Sequence, residues 1–267
     1  MKETSTARSI LTKEQLIRQL IDCGVAKGQS IIVHTSLSSI GFVVGGAETL
    51  IRALLEIVGE EGTLIMPSQT WKNLDPESGV HWEEPAEWWP IIRENWPAYN
   101  KHITPAIGMG AVAEMFRKWP EAHRSDHPAR SFAAIGKQAE YITKEHDLSN
   151  IFGEGSPIAK LYELDGFVLL IGVGHDKNTS LHLAETRASF PSKRFVDESS
   201  AIMTSDGRRW TTYSTQAVVD DDFVPLGLAY EQQHGIPIHK VGDADVRLLK
   251  QRPLIDWAVD WMQLHRR

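Results

Sequence analysis

The stretch from Gly166 to Ala188, GFVLLIGVGHDKNTSLHLAETRA, constrains the fold of this chain more than any other. Phe167 to Val173 is an unbroken apolar run, rich in branched side chains and far short of the roughly 20 residues that span a membrane. Such a run reads as a strand buried on both faces. Gly172 and Gly174 bracket its end and let the backbone turn sharply. His175, Asp176, Lys177 and Asn178 then form a polar loop. Asn178, Thr179 or Ser180 can cap a helix whose first turns carry His182 and Glu185. Residues three apart on a helix share a face, so the imidazole and the carboxylate point the same way. A polar loop with such a pair just past a buried strand is where open α/β sheets place their chemistry.

The chain before this stretch alternates helix and strand. Thr12 opens a helix with Gln15 placed for a capping box, Leu16, Ile17, Leu20 and Ile21 form its apolar stripe, and Gly24 stops it. Ser30 to His34 reads as a strand followed by the polar turn TSLSSIG. Gly45-Gly46 precedes a helix with Leu50, Ile51, Leu54, Leu55 and Val58 inward, and Thr63 to Pro67 is the next strand. This is a βαβ unit. From Ser68 to Ile103 no period is sustained. That segment holds five of the nine tryptophans, Trp71 to Trp96, and the acids Asp75, Glu77, Glu83, Glu84 and Glu87. It reads either as a lid that forms a substrate wall or as a surface excursion anchored by its tryptophans. Its acids suit a polyamine.

Beyond it, Pro105 predicts a helix over PAIGMGAVAEMFRKW, and a short strand follows HRSDHPARS. Ser156-Pro157 caps another helix, and AIMTSDGRRWTTYS reads as a hairpin turning at Asp206-Gly207. Asp220 to Asp222 leads into a helix through Tyr230, and Asp243 to His265 reads as one long helix. No repeat, low-complexity tract or linker interrupts the 267 residues, so a single domain over 1–267 is expected.

The net charge of −7 disfavours a nucleic-acid partner and suits a cationic small molecule. No apolar run reaches membrane-spanning length and MKETSTARS lacks the apolar core of a signal peptide, so no membrane and a cytoplasmic location are expected. The one cysteine, Cys23, excludes a disulfide framework, and its place at a helix end disfavours an acyl-cysteine intermediate. GxGxxG, Walker-type and GxSxG motifs are absent. His175, Asp176 and His182 invite a metal reading, but without an HExxH pair they match by chance, and no metal is expected. What remains is general-base chemistry. The positive end of a helix dipole disfavours an imidazolium at His182 and a nearby carboxylate favours it, leaving a ring suited to accept a proton near pH 7. A helix histidine bonded to its glutamate as plain structure fits the same pattern.

VHTSLSSIG after the first strand, MPSQTW after the next, HPARSFAAIG, and SPIAKLYELDGFVLLIGVGHDKNTSLHLAE occur here in order. Together they resemble the aminoglycoside 3-N-acetyltransferase family, also called the antibiotic acetyltransferase family. The resemblance runs from about Thr12 to Arg187 and more loosely to the end. It implies an α/β fold with a central mixed β-sheet flanked by helices, not Gcn5-like. It also implies acetyl-coenzyme A as donor and a cationic acceptor, typically the 3-amino group of a 2-deoxystreptamine aminoglycoside, with antibiotic resistance as the outcome. By position, His182 resembles the catalytic histidine, with Glu185 and Asp176 as its acids. Asp75 falls where the family contacts the antibiotic, with Trp71 and Glu83 of the same segment as further acceptor contacts. His34, Thr35, Ser36 and Leu37 resemble a coenzyme-contacting loop, and Ser125, Ser131 and Phe132 a second one. The absence of a usable cysteine favours direct transfer in a ternary complex over a ping-pong route, and backbone N–H groups at the Ser36-Leu37 turn are the expected oxyanion donors. Between Tyr213 and Asp222 the chain departs from relatives that carry acids soon after the tyrosine; here stand Thr215, Gln216 and Ala217. That departure leaves the antibiotic range open; an acetyltransferase acting on another small amine and a non-catalytic coenzyme- or sugar-binding protein are the rival readings. The oligomeric state is not legible.

Overall fold

The computed structural model describes residues 8–78 and 80–267. The chain enters through β1 (Ile10–Leu11) and α1 (Lys13–Asp22). The α1 terminus is closed reciprocally: Thr12 Oγ1 accepts from the Gln15 amide and Gln15 Oε1 from the Thr12 amide. Next come β2 (Ser30–Thr35), α2 (Leu37–Ile40), β3 (Phe42–Val43), α3 (Gly46–Val58) and β4 (Thr63–Pro67). Then follow α4 (Trp89–Asn95), α5 (Gly110–Phe116), β5 (His123–Arg124), β6 (Phe132–Gly136), α6 (Ala139–Thr143) and α7 (Pro157–Glu163). The organising stretch is β7 (Phe167–Ile171) and α8 (Leu181–Arg187). A hairpin of β8 (Phe195–Thr204) and β9 (Gly207–Gln216) precedes α9 (Phe223–His234), β10 (His239–Val241), β11 (Ala244–Lys250) and α10 (Gln251–His265).

Seven strands form one mixed sheet in the order β10-β11-β7-β2-β4-β6-β5. β2 runs parallel to both β7 and β4, and the outer pairs are antiparallel. Alternation along β7 separates two cores. Leu169 and Ile171 join Val33, Leu64 and the apolar faces of α1, α3 and α5. Val168 and Leu170 join Ile32, Ile65 and residues of α6 to α10. All four β7 side chains are fully buried, each stabilising the fold by roughly 1.5–3 kcal/mol relative to exposure. Helices therefore cover both faces of the sheet, as the apolar run requires.

Three sequence expectations change. Asp243 to His265 is not one helix: Ala244–Lys250 is β11, paired residue for residue with β7 from Val246↔Ile171 to Lys250↔Phe167. The open edge of β7 needs backbone partners, and that demand overrides the helical spacing of Val246 and Leu249. Pro253 decides where the helix can start. In the first turn of α10 its missing N–H costs nothing, whereas inside a longer helix it would break the ladder. The helix expected from Pro105 begins only at Gly110, because Gly108 and Gly110 adopt φ of +90° and +84°. Finally, the segment from Ser68 to Ile103 contains three short 3₁₀ turns and α4 rather than only irregular chain.

Candidate active site

A cleft of about 920 Å³ opens beyond the carboxyl ends of the parallel strands β7, β2 and β4. β2 connects to β4 on one side and has β7 on the other, so this is the point where open α/β sheets form their crevice. Gly172, at φ +64°, turns the chain out of β7 so tightly that a Cβ there would collide with Ser39. His34 to Ser38 line one wall, Asp176 to Thr179 and His182 another, and Trp71 and Gly108 to Ala113 a third.

His182 stands in the first turn of α8, with Ser180 as N-cap. Its Nδ1 donates to Glu185 Oε2 at 2.8 Å. In the neutral ring this leaves the lone pair on Nε2. The ring is packed between two phenyl groups, parallel to Phe152 at 4.7 Å and tilted against Phe223 at 4.7 Å. Its side chain is only 9% exposed, so its orientation is set on every side. Glu185 is fixed further by the Val219 amide at 3.0 Å and by Arg266 Nη1 at 2.7 Å, both on Oε1. Arg266 also bonds both carboxylate oxygens of Asp222 and the Val219 carbonyl. A buried carboxylate with three donors holds its histidine as a general base needs to be held. On the opposite wall, burial pushes His34 down to about 3, so that ring is neutral.

The family model for aminoglycoside 3-N-acetyltransferases matches residues 32–263. This chain belongs to the aminoglycoside 3-N-acetyltransferase family. It is 41% identical over 251 residues to the SPbeta prophage-derived aminoglycoside N(3')-acetyltransferase-like protein YokD of Bacillus subtilis (strain 168), covering 94% of this chain and 92% of that protein. The crystal structure of YokD superposes with a TM-score of 0.91 at 39% identity, over 99% and 97% of the two chains. Aminoglycoside N(3)-acetyltransferase IX of Micromonospora chalcea is 35% identical, over 95% of this chain and 94% of its own. The binary complex of AAC-IIIb with CoASH has a TM-score of 0.84 at 29% identity, over 97% and 98%. The chain is an acyltransferase of this family, whose co-substrate is acetyl-coenzyme A. Among the described residues no group of three His, Cys, Asp or Glu side chains is placed to hold a metal ion, and no helix is long and apolar enough to cross a membrane.

The site residues expected from sequence divide into three groups. His34, Thr35, Ser36, Leu37, Trp71, Asp176 and His182 all line the cleft, and Glu185 stands behind His182. Asp176 is exposed on the rim, paired with Lys177 at 3.1 Å; the carboxylate bonded to His182 is that of Glu185. The Ser36 amide donates to Ile171 O, which leaves the Leu37 amide of that expected oxyanion pair. Ser125, Ser131 and Phe132 are not brought to the cleft. They are fully buried, with Ser125 bonded to His146 and Ser131 bridging Arg124 and the Ser68 carbonyl. Asp75 is held bidentately by Arg93 at 2.8 Å, and Glu84 by Lys72 at 2.6 Å. Burial raises the Asp75 carboxyl, but Arg93 outweighs it and holds the group below its ordinary range. Glu83 lies away from the cleft lining. Thus Asp75 and Glu84 bind cations of their own segment, and Trp82 and Trp96 anchor it through the Leu74 carbonyl and the Asn73 side chain. Trp71 alone among the three expected acceptor contacts faces the cleft, stacked at 4.2 Å under Arg130.

Sequence reasoning missed Arg266, Val219 and the two flanking phenylalanines. None carries a local signal, since Arg266 reaches Glu185 across 81 residues. A second cleft, about 300 Å³, adjoins Phe152 and Val218; Glu185, Lys193, Thr215, Gln216 and Ala217 line it. Thr215 and Gln216 at the end of β9 and Ala217 just past it therefore form part of its wall.

Proposed function

We propose that this chain transfers the acetyl group of acetyl-coenzyme A directly to the 3-amino group of a 2-deoxystreptamine aminoglycoside and so confers resistance to it. The observation that carries the reading is the His182–Glu185–Arg266 series, which ends on a fixed imidazole in a cleft of about 920 Å³. His182 Nε2 takes the proton as the amine nitrogen attacks the thioester carbonyl. The C–N bond forms, the C–S bond breaks, and the imidazolium returns the proton to the departing sulfur, so that coenzyme A leaves as its thiol. Glu185 compensates the charge on the imidazolium, and the Leu37 amide is the proposed donor to the oxyanion. The Micromonospora chalcea relative, named for this reaction, and the coenzyme-bound relative support the reading.

The test is product mass and NMR after incubation with acetyl-coenzyme A and a panel of 2-deoxystreptamine aminoglycosides. A mono-acetylated product modified at N3 is expected, together with reduced antibiotic susceptibility in cells expressing the chain. A second reading, an acetyltransferase for another small amine, is favoured by the uncharged wall of Thr215 to Ala217 and by the engagement of Asp75 with Arg93. Thiol release with simple amines but with no aminoglycoside selects it. No acetyl transfer to any amine, with coenzyme binding intact, rejects both.

A further inference from the structure

Asn178 lines the cleft but is itself only 1% exposed, in the loop between β7 and α8. Its side-chain Nδ2 lies 3.3 Å from His175 Nδ1, and its Oδ1 is buried without a hydrogen-bond partner. Which end of the amide faces His175 follows from proton bookkeeping. His175 Nε2 is 2.8 Å from Glu231 Oε1, an acceptor, so Nε2 carries the hydrogen. Burial lowers the affinity of this ring for a second proton, against the opposing pull of Glu231. Nδ1 is then an acceptor and calls for the Nδ2 donor of Asn178. Arg247 fixes the far end by donating to the same Glu231 oxygen. Gly227 on α9 leaves room for the imidazole, since a Cβ there would overlap the ring. A four-residue relay thus fixes the amide and leaves its buried oxygen unpartnered in a residue that lines the cleft, four positions before His182. A buried carbonyl without a partner costs about 1–3 kcal/mol, and both substrates of an acetyl transfer bring N–H groups into this cleft.

We infer that Asn178 Oδ1 is a substrate-contacting acceptor that receives an N–H, either from the pantetheine amides of the coenzyme or from the acceptor amine, and that His175, Glu231 and Arg247 are positioning residues for it. The inference rests on the acetyl-transfer reading above and adds a residue to it. The test is Asn178→Leu, read by calorimetric titration with coenzyme A and with adenosine 3′,5′-bisphosphate, which lacks the pantetheine arm, and by kcat/KM for the acceptor at saturating acetyl-coenzyme A. Weakening of coenzyme A binding by about three- to tenfold, with adenosine bisphosphate binding unchanged, assigns the pantetheine. Unchanged coenzyme A binding with a comparable fall in acceptor kcat/KM assigns the amine. Loss of both nucleotide affinities together, or wild-type values throughout, overturns the inference. Asn178→Ser, smaller and too short to reach, is read in the same way should the leucine variant not fold. Glu231→Gln separates positioning from general support: it is expected to reproduce the same split and to add little in the Asn178→Leu background, whereas additive losses reject the relay. The binding arm needs no acceptor. Wild-type protein that fails to bind coenzyme A therefore defeats the acetyl-transfer reading, not the role of Asn178 within it.

Discussion

Glu185 Oε1 and Arg266 Nη1 meet at 2.7 Å across 81 residues of chain, and the other oxygen of the same carboxylate holds His182. The guanidinium therefore acts on the imidazole through the carboxylate. Arg266→Ala leaves Glu185 buried with an uncompensated charge, a change that destabilises by about 3–5 kcal/mol. Turnover is expected to fall as well, while coenzyme affinity stays near wild type. Urea unfolding beside initial-rate measurements checks this, and unaltered kcat in folded Arg266→Ala would remove the residue from the site.

His182→Ala is expected to lose about a hundredfold to ten-thousandfold in kcat. The alanine leaves a gap between Phe152 and Phe223 and removes a ring bonded to Glu185 and not to His34 to Leu37, so coenzyme A binding should change little. Titration calorimetry with coenzyme A beside steady-state rates separates the two effects. Wild-type turnover in this variant would exclude His182 as the base.

Gly227→Ala sets two effects against each other. Alanine in place of glycine gains about 1 kcal/mol of helix propensity, yet the added methyl would enter the space of the His175 ring. Overpacking a filled site costs typically about 1–3 kcal/mol, and here neither the α9 backbone nor the Glu231-bonded ring is free to move. Net destabilisation of up to about 2 kcal/mol is expected. A rise in the urea midpoint would show that the loop can shift to admit the methyl.

Stability should fall on mild acidification. Burial lowers His34 to about 3, His146 to about 4, His127 well below its ordinary 6.5, and His175 to a lesser degree. Below about pH 6.5 the unfolded chain takes up protons that these folded rings refuse. Unfolding is thereby favoured by up to about 1.4 kcal/mol per pH unit for each ring until its folded value is reached. Paired carboxylates respond later: burial opposes ionisation of Glu114, but Arg117 and Lys118 hold it at about 2, so its contribution fades only below its ordinary 4.5. Urea midpoints between pH 7 and 5 isolate the histidines, and a flat profile there would contradict their burial as neutral rings.

The elements that can be read locally are those whose signal is local. The capping box of α1 is complete in Thr12 and Gln15, the βαβ order in the spacing of Ile31, Leu50 and Leu64, and β7 in a run that no surface position tolerates. The His182–Glu185 pair is legible because three residues of helix bring the two side chains together. The surroundings of Ser125 and Ser131 are not legible because a polar residue in a recognisable string carries no mark of what it bonds; both bond buried protein partners. β11 reads as helix because Val246 and Leu249, three apart, would share a helical face, whereas in the strand they enter opposite cores, although Pro253 already limits how far back α10 can reach.

Amino-acid order alone determined the alternation of helices and strands, the doubly buried strand and the side chains that share a helical face, since each depends on backbone periodicity within a few residues. Tertiary structure alone decided that Arg266 and Val219 clamp Glu185, that Phe152 and Phe223 enclose the imidazole, and that Asp75 meets Arg93. Those contacts join segments whose meeting depends on how helices pack over the sheet, and no local period encodes that packing.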